Sequence, residues 1–556
     1  MSSQVMESKI SKFWHQPWIQ VILLIGFCFI FYFFNLGCWD LWNPDEPRYA
    51  QVAKEIVTGG DWVLMHYNGR VYSDKPPLFF WLIGLSTFLW GGFNSFSVRF
   101  VPALFGTLTV LLTFLLGRKI FNPRIGFFSG LILATSIHFA YLSTRANIDT
   151  TLTFFTTSSL FCFFIWYQQY REEKDQKEKD LRQIILYGFY VGMAFATLTK
   201  GPVGFLLPLL VSLFYLILQR DWRGIREMRL LTGMLLFLGI VLCWYFPAVW
   251  KGGRDYLSQT LFLHSVARYS QGWAKSQPIY FYLYDFPASF FPWILFLPST
   301  FVYAYYRKND GKRREFLFLT VWFAAIFIFF SLSKGKRALY LLPLFPAASL
   351  LVGKLLQDFI SSQMNHFRRE WVFFPIYLLL GVMFIVGAVI PWLISIRFPL
   401  YFSYSLPFAL LIVGSCPIMF ILSRFRHYSI IFFLIIGIIG GGLFYVQRVV
   451  FPLINPLKSA RLMSYEIKSR ISPKEMLCVF GGISTSPYNF YTDIVPILEI
   501  WQEEGLVDFL ASTDRVFCLL DYKDFSKLQA LKEKPLAQVM ARHKIGRNEV
   551  LLISNQ

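Results

Sequence analysis

Residues 18–34 read WIQVILLIGFCFIFYFF and contain no charged side chain. As an α-helix, such a run crosses most of the roughly 30 Å hydrocarbon layer of a bilayer, where each backbone N–H and C=O must find a partner within the chain. Lys9 and Lys12 precede the run, and no cleavage site with small residues follows it. We therefore expect an uncleaved first membrane span whose N-terminal end faces the cytoplasm.

Apolar runs of this kind recur along the whole chain. Of the 556 residues, 55% are hydrophobic and 62 are phenylalanine, and the mean hydropathy is +0.48. A soluble core does not need this much apolar surface, so we predict a mostly α-helical, polytopic transmembrane bundle. Its thirteen candidate spans begin near Trp18, Arg99, Gly126, Thr150, Ile184, Val203, Leu231, Phe286, Phe316, Ala338, Val372, Phe402 and Ile430.

The distribution of positive charge indicates one topology. With the N-terminus inside, alternating spans place nearly all dense basic clusters in cytoplasmic loops, as expected for membrane proteins. These clusters are Arg118 to Arg124, Arg171 to Arg182, Arg220 to Arg229, Arg307 to Arg314, Arg368 with Arg369, and Arg424 with Arg426. Together with contacts to anionic membrane lipids, they account for the formal net charge of +20. No nucleic-acid-binding motif is visible, so a nucleic acid is not expected as a partner.

One apolar run, Pro77 to Phe93, has to be excluded from the spans. If it crossed the membrane, every later basic cluster would lie outside. The run is short and is bounded by Pro76-Pro77 and Gly91-Gly92. We therefore predict an interfacial or re-entrant helix in a first periplasmic loop at residues 37–98.

The C-terminal residues differ in character from the rest of the chain. Short β-like runs (LCVFGG, DRVFCLL and EVLLIS) alternate there with amphipathic stretches such as Ser459 to Ser469. We predict a membrane module at residues 1–454 and a small soluble α/β domain at 455–556, which the odd span count places in the periplasm. An oxidising compartment would allow a disulfide between Cys478 and Cys518, although the seven cysteines show no metal-ligand spacing.

The first loop departs furthest from what a lipid environment favours. Residues 38–77 read CWDLWNPDEPRYAQVAKEIVTGGDWVLMHYNGRVYSDKPP. An amphipathic helix from Pro47 to Val57 is expected, with Asp45 and Glu46 before it and Gly59-Gly60 at its end. Asp45 would then serve either as a simple helix cap or in chemistry. A second polar group, just before the two prolines, consists of Tyr72, Asp74 and Lys75.

Further polar residues lie where other spans meet the outer face. Arg145 and Asp149 are four residues apart and would share one face of a helix. Cations on this face run against the positive-inside rule, and a bound phosphate would explain them, because Lys and Arg form charge-assisted hydrogen bonds to it. Anchoring to lipid headgroups is the alternative explanation. The other residues of this set are Lys200, His264, Arg268, Tyr269, Lys334, Lys336, Arg337 and Tyr340.

A carboxylate near cationic phosphate ligands suits the transfer of a phosphate-linked group to a hydroxyl. The carboxylate accepts the proton of the nucleophile, and the cations stabilise charge on the leaving phosphate. A lipid-linked sugar transporter is an alternative, but it would be expected to carry polar residues in paired broken helices at mid-bilayer depth. A scaffold that only presents the C-terminal domain would not explain acids and cations on one face.

Several motifs occur in an order that strongly resembles bacterial lipid A aminoarabinose transferases. These enzymes belong to the GT-C class, which includes the protein O-mannosyltransferases, and the resemblance covers nearly the whole membrane part. The motifs are WNPDEPRYA, GDWVLMHYNGRVYSDKPP, Arg145-x-x-x-Asp149, TKGP, His264-x-x-x-Arg268 and SKGKRALYLLPLFP.

The resemblance implies an inverting glycosyltransferase that takes a sugar from undecaprenyl phosphate on the periplasmic face of the inner membrane. By position, Asp45 resembles the main catalytic carboxylate and Asp149 the other important acid. The residues that resemble donor-phosphate ligands are Lys75, Arg268 and Tyr72. The residues that resemble loop-shaping or substrate-side positions are Glu46, Arg48, Tyr49, Lys200, Lys336 and Tyr340.

The resemblance extends less far to metal and substrate. No cofactor is expected to be essential, but Asp74 with His264 resembles a divalent-ion site, although Asp74 stands where the family usually has Glu. SKGKR also departs from the family pattern. The expected partners are the lipid-linked donor and a glycolipid, glycan or protein acceptor, which would receive the sugar on a hydroxyl or a phosphate group. Transfer of 4-amino-4-deoxy-L-arabinose to lipid A is the best-known activity of the family, and paralogues act on proteins or other glycans.

Overall fold

The computed structural model describes residues 16–172, 176–260, 276–306, 312–364, 367–530 and 537–556. Most of these residues are helical. Contacts divide the chain into two compact units. The bundle unit contains residues 1–35, 74–78 and 102–446, and the loop unit contains residues 36–73, 79–101 and 447–556.

Eighteen α-helices precede the C-terminal part in the described residues. In the first half of the chain they are α1 (Pro17–Cys28), α2 (Glu46–Gly59), α3 (Leu78–Leu89), α4 (Ser95–Ile120), α5 (Pro123–Thr135), α6 (Ile137–Ser143), α7 (Asp149–Arg171), α8 (Gln176–Lys200), α9 (Val203–Leu218), α10 (Trp222–Glu227) and α11 (Leu230–Ser258). Then come α12 (Phe281–Ser289), α13 (Leu297–Tyr306), α14 (Arg313–Leu332), α15 (Phe345–Ile360), α16 (Glu370–Arg397), α17 (Phe402–Arg424) and α18 (Tyr428–Tyr445).

All thirteen predicted spans fall on helices. In the described residues, eight helices are long and apolar enough to cross a membrane, and counting each bent pair as one span raises the number to ten. The bent pairs are α5 with α6, at 71°, and α12 with α13, at 114°. The other three predicted spans are α1 and α9, which are shorter, and α7. The prediction of a multi-pass helical membrane protein is confirmed, and the number thirteen stays a prediction.

Helix α7 has a polar composition for a buried bundle helix. It begins at Asp149, and its buried residues include Thr150, Thr153, Thr157 and Ser159. Because of these hydroxyls, α7 is long enough to cross a membrane, with 23 residues, but is less apolar than the eight helices counted above. Such a helix is stable in a membrane when its polar face is covered by other helices.

Small residues allow close helix packing within the bundle unit. A Cβ on Gly192 of α8 would lie 3.0 Å from the backbone of Ser159 on α7. A Cβ on Gly353 of α15 would lie 3.0 Å from the backbone nitrogen of Ser129 on α5. Because lipid chains are as apolar as leucine, close packing of this kind replaces the hydrophobic effect as the source of helix association.

The loop unit contains the two helices expected between the first and second spans. The helix predicted from Pro47 to Val57 is α2, which ends before Gly60 in the left-handed conformation (φ 72°). Helix α3 occupies the excluded apolar run. Its twelve residues extend about 18 Å, too little to cross the bilayer. Between them lies a hairpin of β1 (His66–Tyr67) and β2 (Arg70–Val71).

The C-terminal part of the loop unit is an α/β layer structure. Its sheet has the strand order β4-β3-β5-β7-β6, in which β3 is parallel to β4 and β5, and β7 is antiparallel to β5 and β6. The strands are β3 (Met476–Phe480), β4 (Leu498–Ile500), β5 (Val516–Asp521), β6 (Gln538–Ile545) and β7 (Asn548–Ser554). The helices are α19 (Phe451–Lys458), α20 (Arg461–Arg470), α21 (Ser486–Thr492), α22 (Glu503–Leu510) and α23 (Tyr522–Ala530).

Alternating side chains of this sheet form two cores. Cys478 and Phe480 pack with α22 and α23, whereas Leu477 and Val479 pack with α20 and α21. The predicted small α/β structure near the C-terminus is therefore confirmed. Contacts group it with the first loop, and the domain boundary between residues 454 and 455 stays a prediction.

Cys478 and Cys518 lie opposite each other on the parallel strands β3 and β5. Both side chains are buried, and both are free thiols. Burial raises the pKa of the Cys518 thiol well above its ordinary value. The disulfide that the sequence allows is therefore not formed in this structure.

Candidate functional site

Asp45 stands immediately before helix α2. Its side chain makes no capping hydrogen bond to the helix, so the simple capping role considered above is wrong. Arg48, one turn later, donates a hydrogen bond from Nη2 to Oδ1 of Asp45 at 3.0 Å. This pair leaves the Asp45 side chain 19% exposed. A partly exposed carboxylate is suited to accept a proton.

Glu46, the next residue, has a different environment. Its side chain is 2% exposed and accepts two hydrogen bonds from Arg99, with Nε to Oε1 at 2.7 Å and Nη2 to Oε2 at 3.0 Å. The same guanidinium donates to the carbonyl oxygens of Leu36, Trp39 and Asp40. All five guanidinium N–H groups are thus used, and they fix the loop that precedes Asp45.

The sequence pattern places Arg99 only at the start of the second span and does not indicate a functional role for it. One signal was available. An arginine in an otherwise apolar helix needs an anionic partner, and the nearest acids in the sequence lie in the first loop. The cation also stacks over the Trp39 ring, with 4.4 Å between the guanidinium carbon and the ring centroid.

The two tyrosines predicted in the first loop are both buried. Tyr49 packs edge-on against Phe79 and Phe80, at 5.7 and 5.8 Å between ring centroids. Tyr72 packs against Phe80 at 5.7 Å, and its backbone N–H donates to the carbonyl of Met65 at 2.8 Å. The rings therefore join α2, the hairpin and α3 into one layer.

C-terminal residues hold the segment before Asp45. Asp40 accepts hydrogen bonds from Arg461 at 3.0 Å and from the amide of Asn455 at 2.8 Å. The backbone N–H of Leu41 donates to the hydroxyl of Tyr491 at 2.9 Å. These contacts could not be predicted from the sequence, because they join residues more than 400 positions apart.

In the bundle unit, Asp74 and Lys75 pair with each other. Nζ of Lys75 donates to Oδ1 of Asp74 at 3.0 Å and to the Asp74 carbonyl at 2.9 Å. Their side chains are 18% and 10% exposed. The ammonium group lies shortly before α3, with a carboxylate that orients it.

A second group of the bundle unit joins three predicted residues. Asp149, in the first turn of α7, forms an ion pair with Lys200 at the end of α8. The Lys200 ammonium also lies over the Tyr340 ring, 4.4 Å from its centroid. The structure therefore brings together an acid, a base and an aromatic ring that are separated by as many as 191 positions in the sequence.

The expected shared helical face of Arg145 and Asp149 is wrong. Residues 144–148 are not helical, and α7 begins at Asp149. The side chain of Asn147 accepts a hydrogen bond from the Asp149 N–H at 3.0 Å and acts as the cap. Arg145 instead donates to the Tyr141 hydroxyl at 3.0 Å.

Lys336 is buried and is hydrogen-bonded to backbone carbonyl groups. It is 4% exposed, and its ammonium donates to the carbonyl oxygens of Gln277, at 3.0 Å, and Ser333. Burial lowers the pKa of Lys336. The lysine thus joins the two segments in front of α12 and α15, a positioning role that the sequence pattern did not distinguish from ligand binding.

His264, Arg268 and Tyr269 lie outside the described residues. The predicted phosphate contact of Arg268 and the predicted pairing of His264 with Asp74 therefore stay predictions. In the described ranges, no group of three or more His, Cys, Asp or Glu side chains is arranged to hold a metal ion.

Comparisons with known proteins agree on one class of enzyme. The family described as dolichyl-phosphate-mannose-protein mannosyltransferase matches residues 74–246. An undecaprenyl phosphate-α-4-amino-4-deoxy-L-arabinose arabinosyl transferase of Pseudomonas fluorescens is 31% identical over 70% of this chain and 68% of its own length. The corresponding transferase of Pseudomonas paraeruginosa is 32% identical over 72% of this chain and 70% of its own length.

A solved structure has the same fold. The crystal structure of ArnT from Cupriavidus metallidurans bound to undecaprenyl phosphate is similar with a TM-score of 0.78 at 20% identity. The similarity covers 96% of this chain and 98% of that one. At this identity the likeness concerns the arrangement of the elements, and it includes both the membrane helices and the C-terminal part.

Proposed function

Because the chain belongs to the family of undecaprenyl phosphate-4-amino-4-deoxy-L-arabinose arabinosyl transferases, we propose that it moves this aminopentose from undecaprenyl phosphate to lipid A. The chain is a glycosyltransferase that uses a lipid-linked sugar donor. We further propose that the sugar is 4-amino-4-deoxy-L-arabinose, that the acceptor is lipid A, and that transfer occurs at the outer face of the inner membrane. The alternating basic loops support this side of the membrane.

The observation that best supports this chemistry is the contrast among three carboxylates. Glu46 is buried against Arg99, and Asp149 is paired with Lys200 and 6% exposed. Asp45 keeps 19% of its side chain exposed beside Arg48. Of these three acids, Asp45 is therefore the one best suited to meet an acceptor hydroxyl.

In the proposed reaction, Asp45 accepts the proton of the acceptor hydroxyl as its oxygen attacks the anomeric carbon of the sugar. The bond between that carbon and the phosphate oxygen breaks, and undecaprenyl phosphate leaves with the electron pair. Lys75 binds the phosphate and stabilises its growing negative charge. Attack opposite to the leaving group inverts the anomeric configuration.

The other predicted residues receive supporting roles. Arg48 orients Asp45, Lys200 holds Asp149 in an ion pair, and Tyr72 belongs to the wall of the donor site. We also assign Arg268 to the donor phosphate. A divalent ion at Asp74 and His264 is not required by this mechanism, since lysine and arginine supply the positive charge that the leaving phosphate needs.

Mass spectrometry of lipid A from cells with and without the gene tests the proposal directly. We expect lipid A carrying an added aminopentose only when the gene is present. Replacing Asp45 by Asn should abolish this product while the protein remains folded. The matched control, Asp508→Asn, changes an exposed carboxylate on α22 and should leave the product unchanged. A modified protein or glycan in place of lipid A would contradict the proposed acceptor.

A further inference from the structure

The short helix α10 lies between the spans α9 and α11 and presents a cationic side. Gly224 and the C-cap residue Met228 are buried against the bundle. On the other side, Trp222 is 62% exposed, and Arg223 and Arg226 are exposed as well. Residues three and four positions apart on a helix share a face, so Trp222 and Arg223 both lie on the same face as Arg226.

A buried carboxylate fixes the position of α10. Asp221 caps the helix by accepting a hydrogen bond from the N–H of Gly224 at 2.8 Å. It also accepts one from the Tyr167 hydroxyl at 3.1 Å and lies 3.6 Å from the guanidinium of Arg171. Tyr167 and Arg171 both stand near the end of α7. This polar network therefore holds α10 against the end of α7, with its arginines on the outer side.

Two further arginines extend the cationic side. Arg220 and Arg229 stand before and after α10, and both are exposed. Together with Arg223 and Arg226 they form what we call the arginine patch. Like charges at a spacing of three or four residues repel each other. An anion bound to the patch would relieve this repulsion.

The acids in the neighbourhood leave the patch positive. Residues 220–229 contain two acids, of which Asp221 is buried in the network above and Glu227 is partly exposed. The connection from α7 to α8, residues 171–182, contains five bases and five acids and does not change the balance. Helix α14, which packs against α9, begins with two arginines and one buried glutamate. The surroundings therefore attract an anion.

Apolar side chains stand next to the arginine patch on both neighbouring spans. At the end of α9, Phe214 and Leu218 are 48% and 60% exposed, and at the start of α11, Leu231 and Leu235 are 77% and 61% exposed. An exposed tryptophan such as Trp222 is typical of the boundary between headgroups and acyl chains. A free phosphate would contact only the arginines, whereas a phospholipid would also cover these apolar side chains.

We propose that the arginine patch binds the headgroup of an anionic phospholipid whose acyl chains lie along α9 and α11. Guanidinium groups donate paired hydrogen bonds to phosphate oxygens, so a lipid with two phosphates fits four arginines best. The patch lies at the opposite end of α7 from Asp149, about 33 Å along the helix. The site is therefore separate from the residues assigned to the transfer reaction, on the membrane side that the basic loops predict to be cytoplasmic.

Native mass spectrometry of the full-length protein in detergent measures the binding of added lipids. The probes are cardiolipin, which has two phosphates, phosphatidylglycerol, which has one, and zwitterionic phosphatidylethanolamine. We expect affinity to fall in this order. The double variant Arg223→Gln, Arg226→Gln should bind cardiolipin about 25-fold more weakly, about fivefold for each arginine. Replacing both residues by Lys keeps the charge but not the paired hydrogen bonds, and should cause a smaller loss.

The matched control is the double variant Arg424→Gln, Arg426→Gln. These two arginines are exposed at the end of α17 and belong to another basic cluster that is predicted to be cytoplasmic. They remove the same charge from a pair of arginines rather than from a set of four. Cardiolipin affinity should change less than about twofold in this control, since each lost arginine is worth about fivefold only at the bound headgroup.

Three outcomes would overturn the proposal. The first is wild-type cardiolipin affinity in Arg223→Gln, Arg226→Gln protein whose thermal unfolding is unchanged. The second is an equal loss in the control, which would reduce the effect to general charge. The third is displacement of cardiolipin by ammonium phosphate but not by ammonium acetate of equal ionic strength, which would make the patch a site for free phosphate. These measurements need neither donor nor acceptor, so a wrong assignment of the transfer reaction would not change them.

Discussion

Arg99 is wholly buried, and each of its N–H groups has an acceptor in the first loop. The free-energy cost of desolvating a buried ion pair can be as large as the electrostatic attraction between its partners. Removing one partner, however, leaves an uncompensated buried charge. The residue therefore matters most for the conformation of the segment that precedes Asp45, which has to be held in place for proton transfer.

Arg99→Met should destabilise the folded protein by about 3–5 kcal/mol, because the carboxylate of Glu46 stays buried without its partner. The double variant with Glu46→Met should recover part of this loss. Thermal unfolding of the detergent-solubilised protein measures both. Arg515→Met is the control, since its surface pair with Glu475 is worth at most about 1 kcal/mol. Equal effects of Arg99→Met and Arg515→Met would contradict the prediction.

Lys75→Ala should weaken the binding of undecaprenyl phosphate by about 1.5–3 kcal/mol, the usual value of a hydrogen bond to a charged group. Affinity measurements with the purified protein and the lipid in detergent test this. Lys527→Ala removes a lysine whose side chain is 71% exposed and serves as the control. If Lys75→Ala kept wild-type affinity, Lys75 would not be a phosphate ligand.

At the residue scale, the sequence predicted which acids and bases stand at span ends, but not their pairing. The first-loop motif led to Asp45, Glu46 and Lys75 by position. The pairing of Glu46 with Arg99 could not be predicted in the same way, because both carboxylates of the DE pair have identical local sequence signals. It is the packing in the folded chain that buries Glu46 and leaves Asp45 partly exposed.

The β1–β2 hairpin is the element that contacts the C-terminal strands most specifically. Asn68, at its tip, is 3% exposed and adopts a left-handed conformation with φ 53°. Its side chain donates to the carbonyl of Ile497 and accepts from the Ile497 N–H and from Asn489. These bonds imitate a strand pairing and fix the hairpin against β4.

Asn68→Gly should lower the stability of the loop unit by about 2–3 kcal/mol, since the backbone conformation is retained and three buried hydrogen bonds are lost. Thermal unfolding and limited proteolysis of the C-terminal residues measure the effect. The control is Asn548→Gly, an exposed position at the start of β7. A hairpin variant as resistant to protease as the control would show that these bonds are dispensable.

The contact between α2 and α21 should depend on pH. Burial raises the pKa of Asp493, but hydrogen bonds from Lys54 and Lys468 outweigh this effect and hold the pKa below its ordinary value of 3.8. A lowered carboxyl pKa stabilises the fold above about pH 4, and this stabilisation is lost as the pH falls through the folded-state value. Unfolding measured across this range should therefore show less pH dependence in Asp493→Asn than in the wild type.

The positions of helices and strands could be predicted from the sequence better than the bends between helices. Apolar length alone placed helices at all thirteen candidate spans, and β-like runs placed β3, β5 and β7. The bend of 71° between α5 and α6 was not predicted. Ser136, where the backbone leaves the helical conformation, resembles any other small polar residue in the sequence. The bend depends on neighbours such as Phe291, whose carbonyl accepts from the Ile137 N–H.

For the molecule as a whole, the alternating charges predict a C-terminus outside the cytoplasm. A fusion of alkaline phosphatase after Gln556 should be active, because this enzyme needs an oxidising compartment. The same fusion after Arg369 should be inactive, since that loop carries a basic cluster expected inside. An active fusion after Arg369 would reverse the topology and with it the proposed side of the reaction.

The association of the first loop with the C-terminal residues is the large-scale feature that sequence analysis missed. The first loop and the C-terminal residues differ in composition, and the pattern of apolar runs in the sequence predicts that they belong to different domains. Their contacts, such as Asp40 with Arg461 and Lys54 with Asp493, are ordinary polar pairs that leave no periodic pattern. A pairing between distant, aperiodic segments becomes visible only in the folded chain.

The hydrogen bonds of Arg99 also set limits on variation in this protein. Three of its five acceptors are backbone carbonyl oxygens, those of Leu36, Trp39 and Asp40. A carbonyl is present whatever the side chain, so these positions should tolerate many substitutions. Their spacing to Glu46 is fixed by the guanidinium, however. Functional variants should therefore carry no insertion or deletion between residues 36 and 46, even where the amino acids at these positions are substituted.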